Sequence, residues 1–128
     1  MKPMTLAIAL LIFTAGFATA EEAATQTFTG TYDWSDGDVG PLEAVFVPDG
    51  DGSWTVTFDF NWSDQDRTWT GTAKGSLADG TEVTGTATDG NRNWVFEAKI
   101  ADGVMSGSHR EIREGRKPYE SGSFSIER

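Results

Sequence analysis

The chain has 128 residues, of which 10 are Lys or Arg and 20 are Asp or Glu, so its formal net charge is −10 at pH 7. This acidity argues against nucleic acid and anionic lipid as partners, because both require a cationic surface. The chain contains no cysteine, which excludes disulfides and thiol chemistry.

Residues 1–20 have the pattern of a secretory signal peptide. Lys2 gives a charged start, residues 5–17 are mostly apolar, and residues 18–20 (Ala-Thr-Ala) form a small-residue cleavage site. The apolar run is too short to span a membrane as a helix, and no second run follows it. We therefore predict an exported protein, periplasmic or extracellular, with no membrane insertion. Residues 21–26 are polar and small and are expected to be a flexible start to a single domain of residues 27–128.

The first half of this domain shows the alternation of apolar and polar residues that is typical of half-buried β-strands. Residues 27–34 form the first predicted strand, and residues 42–47 form a second one whose inner face is ambiguous, because apolar residues occupy both faces. Residues 54–62 give the strongest period-two signal, with an aromatic or Val at every second position. We expect that face of the third strand to be buried.

The second half continues the pattern with five more predicted strands. Residues 69–77 and 83–87 are expected to pair as a tight hairpin, because Asp79-Gly80 between them is a strong two-residue turn signal. Turns at Asp89-Gly90 and Asp102-Gly103 separate the later strands. Those later strands are predicted at residues 94–100, 104–112 and 119–127.

Eight strands joined by short turns predict an all-β protein, an eight-stranded antiparallel up-and-down β-barrel. Closure hides the apolar face and removes both unpaired edges of the sheet. A two-sheet sandwich is the alternative, but it usually needs longer crossovers. Glycines flanked by Ser or Thr recur at inward positions and favour the sharp bends of a barrel. These glycines are Gly30, Gly71, Gly85, Gly107 and Gly122.

The first strand, with Phe28-Thr29-Gly30-Thr31-Tyr32, resembles the opening Gly-x-Trp segment of the calycins, the superfamily of lipocalins and avidin-like proteins. Tyr32 stands where Trp is usual. The segment from Trp94 to Arg110, with Ser106-Gly107-Ser108, is similar in spacing to avidin-like proteins. This resemblance implies a small closed barrel that binds an apolar small molecule at one end.

Inward aromatic residues are the first candidates for a ligand site, since eight strands enclose room for side chains or for one small ligand. The alternative is that the same rings fill the barrel and leave no cavity. The candidate ligand-binding residues are Trp54, Phe58, Phe60, Trp69, Trp94, His109, Arg113 and Arg116.

Strand parity predicts that the acidic turns around Asp38, Asp64 and Asp89 share one barrel end with the basic turn that holds Arg113 and Arg116. Closure would also bring the basic turn near Asp36. This cluster predicts either screened surface ion pairs or a rim where an arginine holds an anionic ligand group.

Catalytic and metal sites are not predicted. His109 is the only histidine, and no triad, carboxylate pair or metal cluster accompanies it. The Asp49-Gly50-Asp51 turn starts like a calcium loop, but Phe60 stands at the position that needs a bidentate Glu. We therefore expect no enzyme activity and no cofactor. The alternative to a small-molecule binder is a structural or protein-interaction domain of the cell envelope with a filled core.

Overall fold

The computed structural model describes residues 24–35, 37–50, 52–115 and 119–128. The predicted signal peptide therefore lies outside the described residues. Eight β-strands follow one another along the chain: β1 (Gln26–Trp34), β2 (Val39–Pro48), β3 (Ser53–Trp62), β4 (Gln65–Lys74), β5 (Glu82–Thr88), β6 (Asn93–Ala101), β7 (Val104–Ile112) and β8 (Tyr119–Glu127).

Each strand pairs antiparallel with the next, and β8 returns to pair with β1, so the sheet is a closed up-and-down barrel. Gly30 of β1 lies opposite Ile126 of β8, and Trp34 lies opposite Gly122. The prediction of an eight-stranded barrel is confirmed, and closure excludes the two-sheet alternative. None of the described residues forms a helix long and apolar enough to cross a membrane.

Every second residue along the strands points inward, and these side chains fill the barrel. In β2 the ambiguity is resolved in favour of Leu42, Ala44 and Phe46, which are buried, whereas Val47 is exposed. This assignment follows from register, because Leu42 lies opposite Phe60 of the strongly amphipathic β3. Two polar residues, His109 and Ser121, are also buried among the described residues.

The inward glycines allow neighbouring strands to approach closely. A Cβ on Gly71 would collide with the carbonyl oxygen of Thr86 on β5, and one on Gly85 would meet both the Thr72 carbonyl and the Phe96 ring. From the sequence, Gly71 and Gly85 are both expected to face large aromatic rings across the interior. This expectation holds for Gly85. It is wrong for Gly71, whose missing side chain makes room for backbone instead.

One end of the barrel is closed by the connection between β4 and β5. Residues 75–81 form this connection, so the predicted tight hairpin is wrong. Leu77 is 1% exposed and adopts a φ of 62°. Its carbonyl accepts a hydrogen bond from Arg128 at 2.7 Å, and the Gly80 amide donates to Ile100 at 2.6 Å. Burial of Leu77 outweighs further strand pairing here, because a buried leucine contributes roughly 1.5–3 kcal/mol.

The opposite end is open, and the described residues of the odd-numbered turns, those that follow β1, β3, β5 and β7, surround it. Between β3 and β4 the turn is only Ser63-Asp64, with φ values of 55° and 61°, which is the two-residue hairpin geometry that suits twisted strands. Pairing therefore extends to Trp62 opposite Gln65, closer to the turn than the sequence predicts. This end, called the mouth below, carries the candidate site.

Candidate functional site at the barrel mouth

A cleft of about 520 Å³ occupies the mouth. It is formed where β1, β3 and β7 end and where β4, β6 and β8 begin, together with the turn between β5 and β6. Thirteen residues line it: Trp34, Ser35, Phe60, Trp62, Arg67, Trp69, Asp89, Asn91, Arg92, Trp94, Glu111, Arg113 and Ser121.

Four aromatic side chains form the floor of this cleft: Trp34, Phe60, Trp69 and Trp94. Trp69 and Trp94 stack with ring centroids 3.7 Å apart and planes 16° apart. Phe60 and Trp34 meet Trp69 edge to face at centroid distances of 5.0 and 5.8 Å. Such arrangements are favourable beyond the area they bury, so this aromatic floor is a coherent apolar surface.

Below the aromatic floor the barrel is almost full. An apolar cavity of about 30 Å³ remains there, enough for a water molecule or two and far below the several hundred Å³ of ordinary ligand pockets. The floor residues also border this cavity, so they separate it from the cleft. The space available to a ligand therefore lies above the floor rather than inside the barrel.

Arg67 points from β4 toward the barrel interior at the level of the mouth. It lies opposite the buried Phe60 in the ladder, and its neighbours Asp66 and Thr68 are exposed. Its guanidinium lies 4.9 Å from the ring centroid of Trp62 and donates to the Gln65 side chain at 3.1 Å. The Arg67 Nε is buried without a hydrogen-bond partner among the described residues.

Ser121 reaches the cleft through a β-bulge. His109 pairs with Gly122 and Arg110 pairs with Glu120, so Ser121 is an extra residue in β8. Bulges redirect side chains and occur often beside functional sites. The Ser121 side chain is buried, and its hydroxyl has no partner among the described residues, while its carbonyl accepts the Ser35 amide at 2.6 Å.

His109 lies directly beneath the aromatic floor. Its ring is edge-on to Trp34 at 5.1 Å and to Trp69 at 5.7 Å, and it stacks with Phe124 at 6.4 Å. Burial in this apolar surrounding lowers the pKa of His109 to about 4, because desolvation disfavours the charged imidazolium. His109 is therefore neutral at pH 7, and its Nδ1 has no partner in the described part of the chain.

The rim of the cleft carries charges of both signs. Arg113 forms an ion pair with Glu111 at 3.5 Å. Burial alone would raise the pKa of Asp89, but backbone N–H groups of Arg92 and Asn91, together with the Arg92 charge, outweigh burial and lower the pKa. The Asp89 carboxylate therefore stabilises the turn between β5 and β6, where it accepts hydrogen bonds of 2.8 and 2.9 Å from those two amides.

Two indole N–H groups of the floor lack partners among the described residues: Trp34 Nε1 and Trp94 Nε1. Burial of Tyr32 and the negative charge of Asp38 raise the pKa of the Tyr32 hydroxyl. The nearby Trp34 indole N–H opposes this rise, although it does not meet the hydroxyl at hydrogen-bonding geometry. The Tyr32 hydroxyl donates instead to the Asn61 carbonyl.

The structure separates the candidates predicted from the sequence. Five of them border the interior cavity, and three of these five also border the cleft, where Arg113 joins them. Trp54 lies toward the closed end, where it donates to Gly75 at 2.7 Å. Arg116 and Asp36 lie outside the described residues. The five that border the interior cavity are Phe58, Phe60, Trp69, Trp94 and His109.

Several lining residues were missed by sequence reasoning. Trp34, Trp62 and Arg67 each share the inner parity of their strands, so alternation carried a signal for all three. Ser121 gave no such signal, because the bulge breaks the alternation of β8.

No family model matches the chain, and neither a curated protein nor a solved structure shows significant similarity to it. Among the described residues there is also no group of three or more His, Asp or Glu side chains placed to hold a metal ion.

Proposed function

We propose that this protein is a binding module for a small molecule with an aromatic or apolar body, which it holds at the barrel mouth. The main support for this proposal is the aromatic floor at the base of an open cleft of about 520 Å³. That volume falls within the roughly 300–1,000 Å³ range of small-molecule sites, which combine apolar walls with a few polar groups. A flat apolar ligand would cover the part of the floor that water still reaches, where Trp69 is 8% exposed and Trp34 is half-buried.

Two further proposals accompany this function. The barrel is a calycin-like one, and the support for this is its eight-stranded up-and-down topology with one closed and one open end. The protein acts outside the cytoplasm, in the periplasm or the extracellular space, and the support for this is the pattern of residues 1–20. Its partner is thus a ligand met after export rather than nucleic acid or membrane.

Titration with N-phenyl-1-naphthylamine, a neutral fluorescent probe, tests the proposed function. We expect saturable binding with quenching of tryptophan emission, because four of the five tryptophans line the cleft. Trp69→Ala should abolish binding, whereas Trp54→Phe at the closed end should not. If Trp69→Ala unfolds in a thermal melt, Trp62→Ala at the rim replaces it. Absence of binding to the folded wild-type protein would overturn the proposal.

The filled interior favours one second candidate. A barrel with a residual cavity of about 30 Å³ also suits a structural or protein-interaction domain that has no ligand. Val39 and Ile112 are exposed apolar residues near the mouth end and would contribute to such a contact. A probe that fails to bind, together with capture of an envelope protein that Val39→Asp abolishes, would favour this candidate.

A further inference from the structure

Arg67 gives the cleft a positive charge that forms no ion pair with a described carboxylate. The described salt bridges are Arg110 with Glu97, Arg113 with Glu111, and Arg128 with Asp79. Charged side chains are rarely buried unless they are paired, because leaving water costs free energy. Arg67 is half-buried on the inner face of β4, with a π-face of Trp62 and one amide oxygen as its neighbours. An anionic group on a ligand would complete this arrangement.

Other unsatisfied groups of the cleft point to the same ligand chemistry. The Trp94 indole N–H and the Arg67 Nε–H can donate but cannot accept hydrogen bonds, and both are buried without a partner in the described chain. The Ser121 hydroxyl, placed by the bulge, is a third unpartnered group. A ligand that satisfies these donors must present hydrogen-bond acceptors, and a carboxylate supplies two acceptor oxygens.

Charge around the cleft favours an anion although the whole chain is acidic. The lining holds three arginines against two carboxylates, on a chain whose formal net charge is −10. Both lining carboxylates already have partners: Glu111 pairs with Arg113 at 3.5 Å, and Asp89 accepts two amides of its own turn. A third carboxylate, that of Asp38, lies beside the cleft and accepts the Trp62 indole N–H at 2.8 Å. Arg67 forms no ion pair with any described carboxylate, so an anion at Arg67 meets a guanidinium that is not ion-paired.

We propose that the mouth binds planar aromatic carboxylates, with the ring on the aromatic floor and the carboxylate accepting hydrogen bonds from Arg67. This inference rests on the proposed function and adds the anionic group to it. The planar guanidinium fork matches a carboxylate with two parallel hydrogen bonds. A phosphate is less suited, because its second charge would be desolvated beside apolar rings with no second inward arginine on a described strand.

Calorimetric titration with 2-naphthoate and 2-naphthamide tests this proposal, because the two probes share a ring system and differ in charge. We expect 2-naphthoate to bind at least about tenfold more tightly, as a charged hydrogen bond typically provides. Arg67→Gln should remove this preference, so that the two probes bind with similar affinity. Arg110→Gln is the matched control, since Arg110 pairs with Glu97 and does not line the cleft.

The outcomes separate this inference from the proposed function. Equal affinity for the two probes, or a preference that survives Arg67→Gln, overturns the anion site and leaves the mouth as a neutral binding site. Failure of both naphthyl probes and of N-phenyl-1-naphthylamine overturns the proposed function as well. Tighter binding of 2-naphthyl phosphate than of 2-naphthoate overturns the assignment to carboxylates. If Arg67→Gln does not fold, Arg67→Lys should weaken the preference by removing the fork while keeping the charge.

Discussion

Gly71 shows at the level of one residue why a small side chain is required inside this barrel. A Cβ at this position meets the Thr86 carbonyl and the Ala87 Cα across the β4–β5 ladder, and backbone cannot move aside as a flexible side chain can. We expect Gly71→Ala to lower the free energy of unfolding by about 1–3 kcal/mol, as overpacking does. Urea denaturation measures this change. Thr72→Ala on the exposed face is the control, with an expected change within about 0.5 kcal/mol, and an equal effect of the two variants would contradict this account.

His109 links protonation to stability. Its pKa is about 4 in the folded protein against 6.5 as the unperturbed value, so between these values the unfolded chain binds more protons. The free energy of unfolding therefore falls as pH drops from about 6.5 to about 4, by roughly 3 kcal/mol at most. The surrounding rings of Trp34, Trp69 and Phe124 carry no charge that would offset this loss.

His109→Gln isolates this effect from the carboxylates, which titrate in the same range. Denaturation at a series of pH values should show wild-type stability falling below pH 6.5 relative to the variant. Parallel pH profiles for the two proteins would show that His109 keeps an ordinary pKa in the fold.

At the scale of elements, the two barrel ends have separate roles. Leu77 closes one end, held by Arg128 at its carbonyl and by Ile100 through the neighbouring turn. We expect Leu77→Ala to cost about 2–5 kcal/mol of unfolding free energy, measured by urea denaturation. The affinity for N-phenyl-1-naphthylamine should stay unchanged, because Leu77 does not line the cleft. Loss of probe affinity in a variant that remains folded would show that the ends are coupled.

The two barrel ends also show which features of the fold the sequence pattern predicts and which it does not. Alternation predicts all eight strands and the inner face of β3, because a buried face repeats at every second residue. It does not reveal that Leu77 leaves the ladder with a positive φ to fill the closed end, since that depends on side chains distant in sequence. Arg67 was missed because the fourth strand was predicted to begin at residue 69, whereas β4 begins at Gln65. Positive φ at Ser63 and Asp64 instead makes the turn two residues long and places Arg67 within a strand.

At the scale of the whole molecule, closure between β1 and β8 brings distant parts of the chain to one mouth. Trp34 from the first strand and Ser121 from the last line the same cleft, and Ser35 hydrogen-bonds to Ser121 across the closure. The expected gathering of odd-numbered turns at one end is confirmed for Asp89 and Arg113, which both line the cleft. Whether the barrel interior is filled depends on how the aromatic rings pack against one another, as in the stacked pair of Trp69 and Trp94. Alternation alone does not specify this packing.

The central claim is that ligand binds on the aromatic floor at the mouth, and the indole N–H signals of the five tryptophans test it most directly. In a proton–nitrogen correlation spectrum recorded during titration with N-phenyl-1-naphthylamine, Trp34, Trp62, Trp69 and Trp94 should shift saturably. Trp54 should not shift, because it donates to Gly75 toward the closed end and lies outside the cleft. Shifts at Trp54 as large as those of the other four, or no shift at any of the four, would contradict the account.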